Sequence, residues 1–190
     1  SLGRDTFSMG KVSYETVEEA CEIVTGFQHL MQEYESKNYR AVATSAIREA
    51  QNRDYLVDQI KLKTGLKVEV LTNTQERYLT YKAIRENLPD HRAIRDKGVM
   101  VVEVGSGSVE MTLYHKGKLQ RTHNMKLGHL RLRELLSSLE DRTHDFPGLL
   151  DEYVESHLDI LNFVKERYEL NHFIALGSEM RVISKLCNRS

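Results

Sequence analysis

The chain has 190 residues, 40% hydrophobic and 29% charged, enough to bury a substantial core in one large domain or two small ones. Its 27 Lys and Arg against 28 Asp and Glu leave a formal net charge of -1. That balance argues against a general binder of duplex nucleic acid or anionic membrane, both of which select clustered cationic surface, and leaves room only for a local basic cleft. Residues 1–12 (SLGRDTFSMGKV) are polar and glycine-dotted and read as a loop. Ser13 suits the cap of a helix with Glu15 in its first turn. Val17, Ala20, Cys21, Val24, Phe27, Met31 and Tyr34 then recur at helical spacing to about Glu35. Tyr39–Thr44 reads as a short strand running into Ser45-Ala46-Ile47-Arg48. Asn52 suits the cap of a helix carrying Tyr55, Leu56 and Ile60 and closed by Gly65. Lys67–Leu71 alternates as a strand, and a helix follows from about Gln75 to Asn87, ahead of Pro89. Asp90–Lys97 is charged and poor in apolar residues, which sets a domain boundary and divides the chain into 1–96 and 97–190.

Val99–Val104 is a nearly unbroken apolar run, the pattern of a strand buried on both faces. It ends in Glu103-Val104-Gly105-Ser106-Gly107-Ser108, a turn of small residues. The next strand alternates, with Val109, Met111 and Leu113 on one face and Glu110, Thr112 and Tyr114 on the other. Lys116-Gly117 turns into a third strand, roughly Lys118–Met125. Glycines at 105 and 107 let a backbone approach a ligand closely and tolerate positive φ. Successive N–H groups in such a turn make an anion-binding concavity, although an ordinary hairpin turn uses the same residues. After Lys126-Leu127-Gly128 comes a helix with Leu132, Leu135, Leu136 and Leu139, then a loop over Glu140–Pro147. A long helix follows, with Leu150, Tyr153, Val154, Leu158, Leu161, Val164 and Tyr168 on one face. His172–Leu176 is a buried strand ending in Gly177-Ser178-Glu179, and a last helix runs to about Cys187.

Cys21 and Cys187 form no CxxC pair and are expected to be buried free thiols of a reducing compartment. The eight histidines include no HxxxH spacing. With no apolar run of membrane-spanning length and no signal-peptide pattern, a cytoplasmic location is expected.

The second half thus reads strand, strand, strand, helix, strand, helix, and the first half reads as the same unit without its first three strands. Two such units make an α/β, actin-like (RNase H-like) duplicated pair. Several stretches in that order resemble the Ppx/GppA (exopolyphosphatase and guanosine pentaphosphate phosphohydrolase) family. Ala41–Asn52 is similar to its Thr-Ser-Ala-x-Arg-x-Ala-x-Asn stretch, and Gly65–Arg77 to its strand leading into a Glu-Glu-Ala helix start. Glu103–Glu110 is similar to its Asp-x-Gly-Gly-Gly-Ser-x-Glu loop, and Leu127–Leu132 to its Leu-Gly-x-x-Arg-Leu element.

The resemblance implies a hydrolase that releases terminal phosphate from polyphosphate or guanosine pentaphosphate with Mg²⁺. It implies Glu76 as general base, against the plainer role of a helix-start acid, and Glu110 as a second catalytic carboxylate or an exposed strand residue. Arg48, Gly105, Ser106, Gly107 and Ser108 would bind phosphate, Arg48 otherwise being a surface ion-pair partner. Glu103 would serve the metal in place of the family's Asp, one methylene longer. Ser106 replaces the middle glycine, Arg77 the small residue after the catalytic acid, and Glu179 sits where its charge would repel a nucleotide phosphate or ribose edge. A non-catalytic phosphate or nucleotide sensor and an actin-like ATPase or kinase relative are the alternatives, and a homodimer stays open as the assembly. The family's opening Asp-x-Gly-Ser-Asn-Ser strand has no counterpart. A longer protein is therefore expected, with this stretch catalytically silent alone and its Tyr39–Thr44 edge covered by the other half, a neighbouring chain or a missing segment.

Overall fold

Residues 1–88, 98–140, 142–158 and 168–187 are described in the computed structural model, and they fall into two units, Ser1–Ala83 and Ile84–Ser190. The expected boundary over residues 90–97 and the tail of the long helix over 159–167 lie outside the described residues.

The first unit opens with a helix where the composition suggests a loop. Helix α1 (Leu2–Met9) buries Gly3, Asp5, Thr6 and Phe7 and stops at Gly10, whose φ of 73° is left-handed. A single short apolar stripe sufficed, because two polar residues on it are satisfied by long-range partners. Thr6 Oγ1 donates to the Ala46 carbonyl at 2.8 Å, and Asp5 Oδ2 accepts from the Ser13 N–H at 3.0 Å and the Ser13 hydroxyl at 2.7 Å. Ser13 also caps α2 (Tyr14–Glu33) as expected, accepting from the Thr16 N–H. Asn52 occupies the N-cap position of α4 (Arg53–Thr64) as expected, but its side chain makes no capping bond. Its amide instead brackets Val12, accepting from the Val12 N–H at 2.9 Å and donating to the Val12 carbonyl at 2.8 Å. Gly65 closes α4 in the left-handed conformation, φ 71°.

Strand β1 (Ala41–Ala43) pairs in parallel with β2 (Val68–Val70), both shorter than their alternating patterns. Between β1 and α4 lies the four-residue helix α3 (Ser45–Arg48), and α5 (Asn73–Asn87) follows β2. Val12, Val17, Cys21, Ala43, Ile47, Ala50, Leu56 and Ile60 form the core of this unit. Phe27 and Tyr34 share the helical spacing of the buried Val17 and Cys21 but are 59% and 81% exposed. The reason is length: α2 has 20 residues and its packing partner α4 only 12, so the last turns of α2 run past the helix that covers the first.

In the second unit β3 (Val99–Val104), β4 (Val109–His115), β5 (Lys118–Met125) and β6 (His172–Leu176) form one sheet in the order β5-β4-β3-β6. The hairpins are antiparallel and β3–β6 is parallel. Lys116 and Gly117 both take positive φ, 50° and 71°, the primed turn whose twist suits a two-residue hairpin. Met100, Met111, Leu113, Met125 and Leu127 are the core on one face. Leu132 of α6 (His129–Glu140) and Tyr153 of α7 (Phe146–His157) pack against it. The expected loop over Glu140–Pro147 is cut short, since Asp145 caps α7 by accepting from the Gly148 N–H at 3.0 Å. Pro147 then sits in the first turn, where no N–H is needed. Helix α8 (Ser178–Leu186) ends at Cys187, which is exposed rather than buried. Cys21 is buried as expected, and burial pushes its thiol up.

Candidate active site

Arg48 and Glu76 come together in the first unit. Arg48 ends α3, just beyond β1, and its Nη1 donates to the Leu71 carbonyl at 2.7 Å and to the Glu76 carboxylate. Glu76 lies in the first turn of α5, where an anion is favoured by the N-terminal end of the helix dipole. A capping box fixes that turn. The Gln75 side chain accepts from the Thr72 N–H at 2.8 Å, and the Thr72 hydroxyl accepts from the Gln75 N–H at 3.3 Å. Arg48 and Glu76 side chains are 18% and 32% exposed, so the pair is partly shielded from water. Nε and Nη2 of Arg48 donate to no acceptor among the described residues, which leaves three N–H donors of its fork for an anion.

The Gly105–Ser108 loop of the second unit is held from below. The Gly105 N–H donates to the Ser108 carbonyl at 2.9 Å, closing the turn between β3 and β4. The Ser106 carbonyl accepts from both the Leu130 and Arg131 N–H groups at 3.1 Å, so the first turn of α6 is satisfied by the loop. The Gly107 carbonyl accepts from Nε of Arg131 at 2.6 Å, and Arg131 is buried. Neither Gly105 nor Gly107 adopts positive φ, so the turn does not need them for that reason. The tight position is Gly128: a Cβ there would lie 2.4 Å from the Gly107 and Ser106 backbone. Ser106 is exposed and Gly107 buried, with Ser108 between these extremes.

Glu103 and Glu110 flank the loop as direct cross-strand partners in β3 and β4, and Glu110 in turn faces Asn124 of β5. Directly opposed Cβ atoms stand roughly 4.5–5.5 Å apart, so the two carboxylates share one face and repel unless a cation or donor lies between them. Asn124 Nδ2 lies 3.5 Å from Glu110 Oε2. Two carboxylates match the number Mg²⁺ takes from protein when water and phosphate oxygens complete its shell. No group of three or more His, Cys, Asp or Glu assembles among the described residues.

A second turn closes on the same strand ends. Gly177 has φ 132°, and a Cβ there would lie 2.4 Å from the Val104 carbonyl, so glycine is required between β6 and α8. Glu179, in the first turn of α8, does not stand as an isolated charge, because its Oε1 is 2.9 Å from Nδ1 of His129. Its carboxyl is held below the ordinary 4.5, first by its own backbone N–H, then by the Ser178 hydroxyl and by His129.

The structure therefore joins Arg48 with Glu76, and Glu103 with Glu110 beside the glycine loop. Arg131 and His129 were given no role by the sequence. The available signal was an arginine three residues after Gly128, at the head of an apolar helix.

The sequence pattern of the Ppx/GppA phosphatase family matches residues 1–156. Exopolyphosphatase 1 of Mycobacterium leprae is 28% identical over 107 residues, 56% of this chain and 30% of that protein. The guanosine-5'-triphosphate,3'-diphosphate pyrophosphatase of Vibrio parahaemolyticus is 20% identical over 161 residues, 78% of this chain and 31% of that protein. The crystal structure of the Aquifex aeolicus Ppx/GppA family member superposes with a TM-score of 0.69 at 26% identity, over 98% of this chain and 57% of that one. The described units have the α/β fold of that structure. The chain spans 20–31% of the length of three curated relatives it matches, and 57% of the Aquifex aeolicus structure. With its pattern running through most of both units, this chain belongs to the Ppx/GppA phosphatase family.

Proposed function

We propose that the protein containing this chain is a phosphoric anhydride hydrolase that releases the terminal phosphate of polyphosphate or guanosine pentaphosphate with Mg²⁺. The observation that carries the reading is the opposition of Glu103 and Glu110 at the foot of the Gly105–Ser108 loop. Two carboxylates on one face are a donor set suited to Mg²⁺, and the adjoining amides favour an anion, which together support a metal–phosphate ligand. Glu103 and Glu110 would hold Mg²⁺, which neutralises charge on the phosphate oxygens when bound. In the second unit Ser108 and the Gly107 and Ser108 amides take the terminal phosphoryl group, and in the first unit Arg48 has donors suited to phosphate. Glu76, oriented by Arg48 and the capping box, accepts the proton of a water whose oxygen forms the new P–O bond. The bridging P–O bond breaks, and its electron pair leaves with the shortened chain or nucleotide. The names of the two curated relatives support both substrates.

The test is phosphate release by the natural full-length protein from polyphosphate and from guanosine pentaphosphate, with Mg²⁺ and after its chelation. Mg²⁺-dependent release is expected. Calorimetric binding of either ligand without release would establish the sensor instead, and hydrolysis of ATP alone would establish the ATPase relative.

A further inference from the structure

Resting on that reading, we infer that Arg131 is a positioning residue, which sets the direction of the loop amides without touching substrate. The peptide unit is planar, and no cis bond occurs among the described residues, so each C=O points opposite to the N–H of the next residue. Whatever seizes the Gly107 carbonyl therefore aims the Ser108 N–H, and whatever seizes the Ser106 carbonyl aims the Gly107 N–H. Arg131 does the first through Nε at 2.6 Å, and the Leu130 and Arg131 N–H groups do the second at 3.1 Å. Both carbonyls are drawn down to α6, and both N–H groups turn the other way. Neither N–H donates to an acceptor among the described residues. Gly128 completes the clamp, since it leaves no space for a Cβ between α6 and the loop.

An arginine suits this task because the guanidinium is planar, always charged and rigid in its donor directions. Burying it is costly unless its donors are used, so a buried arginine on a loop carbonyl holds that carbonyl strongly. The consequence is specific. Loss of Arg131 should let the Gly107–Ser108 peptide rotate, spoiling alignment in the reacting complex more than it weakens the overall grip on substrate.

The experiment compares wild type, Arg131→Met and Arg131→Lys in the natural full-length protein. Read-outs are kcat and KM for phosphate release, and the Ser108 amide resonance during titration with inorganic pyrophosphate. Displacement of a reacting group by about 1 Å costs roughly 100-fold, so Arg131→Met should lose roughly 10- to 100-fold in kcat with KM within about threefold. Its Ser108 amide should no longer shift with pyrophosphate, and Arg131→Lys, which restores one donor, should recover part of both. A merely structural arginine would lower the melting temperature and leave kcat and the amide shift of the folded fraction unchanged, which would overturn the inference. If Arg131→Met does not fold, Gly128→Ala probes the clamp from the other side. A normal kcat and a normal amide shift in that variant would likewise overturn it. A wild-type protein that neither binds nor hydrolyses these phosphates removes the proposed function, and this inference with it. Normal kcat in folded Arg131→Met removes the inference alone.

Discussion

Glu76 and Arg48 show how two residues read separately acquire joint meaning. Arg48 touches both the end of β2, through Leu71, and the first turn of α5, through Glu76, so one guanidinium ties the strand to the carboxylate that follows it. Glu76→Gln keeps the shape and the hydrogen bond but removes the proton acceptor. Turnover should therefore fall roughly 10²- to 10⁴-fold while ligand affinity measured by calorimetry holds. Unchanged turnover in an active wild type would leave Glu76 a helix-start acid. Arg48→Ala should act differently. It removes charge-assisted donors, worth roughly 10- to 100-fold in affinity, and should weaken every phosphate ligand while flattening the salt dependence of binding. Normal calorimetric affinity in that variant would assign Arg48 wholly to the Leu71 and Glu76 contacts.

At the scale of elements, α1 is the instructive case. It is an 8-residue helix, too short to stand alone in water, and it persists through its contacts with α2 and α3. Asp5 is central to them. Burial raises its carboxyl, but hydrogen bonds from the Ser13 N–H and hydroxyl and from Thr16 outweigh burial and hold it below the ordinary 3.8. A carboxyl depressed in the folded state contributes stability that is complete above its unfolded value and is lost as pH falls through the folded one. Unfolding free energy should accordingly decline from about pH 4 downward, and Asp5→Asn should flatten that part of the curve in a denaturant titration against pH. A slope as steep in the variant would place the proton uptake elsewhere. The core offers a firmer number: Leu56 is 0% exposed, so Leu56→Ala should cost about 2–5 kcal/mol, measured as a fall in the urea midpoint at unchanged slope.

The two units differ in how their sheets are supported. Strand β3 is paired along its length on both sides, by β4 and β6, and Val99, Met100 and Val101 are all buried. Among the described residues β1 pairs only with β2, over three positions, and Val42 is 44% exposed. Amide exchange follows the free energy of local opening, which is largest where buried contacts and ladder bonds are continuous. Val99–Val101 and Met111–Leu113 should therefore exchange at least about tenfold more slowly than Ala41–Ala43 and Val68–Val70 in hydrogen–deuterium exchange by mass spectrometry. Equal protection in the natural protein would show that β1 gains a further neighbour there.

What could be read from the chain itself was whatever repeats or punctuates locally. The order of strands and helices, the Lys116-Gly117 turn, the Ser13 cap and the Gly65 stop all follow from periodicity and from residues with strong backbone preferences. The glycine loop and its flanking carboxylates were legible too, because the alternation in β4 places Glu110 on the face opposite Met111. Local pattern failed where a polar residue is satisfied by a distant partner. Asp5 with Ser13, Asn52 with Val12, and Arg131 with Gly107 join positions 8, 40 and 24 residues apart. No periodicity encodes such pairs, since each depends on where separate elements are brought by packing. Tertiary structure alone decided that Arg48 meets Glu76 and that Arg131 grips the loop. A side chain's hydrogen-bond partner is set by the geometry of the folded chain, not by its neighbours in sequence.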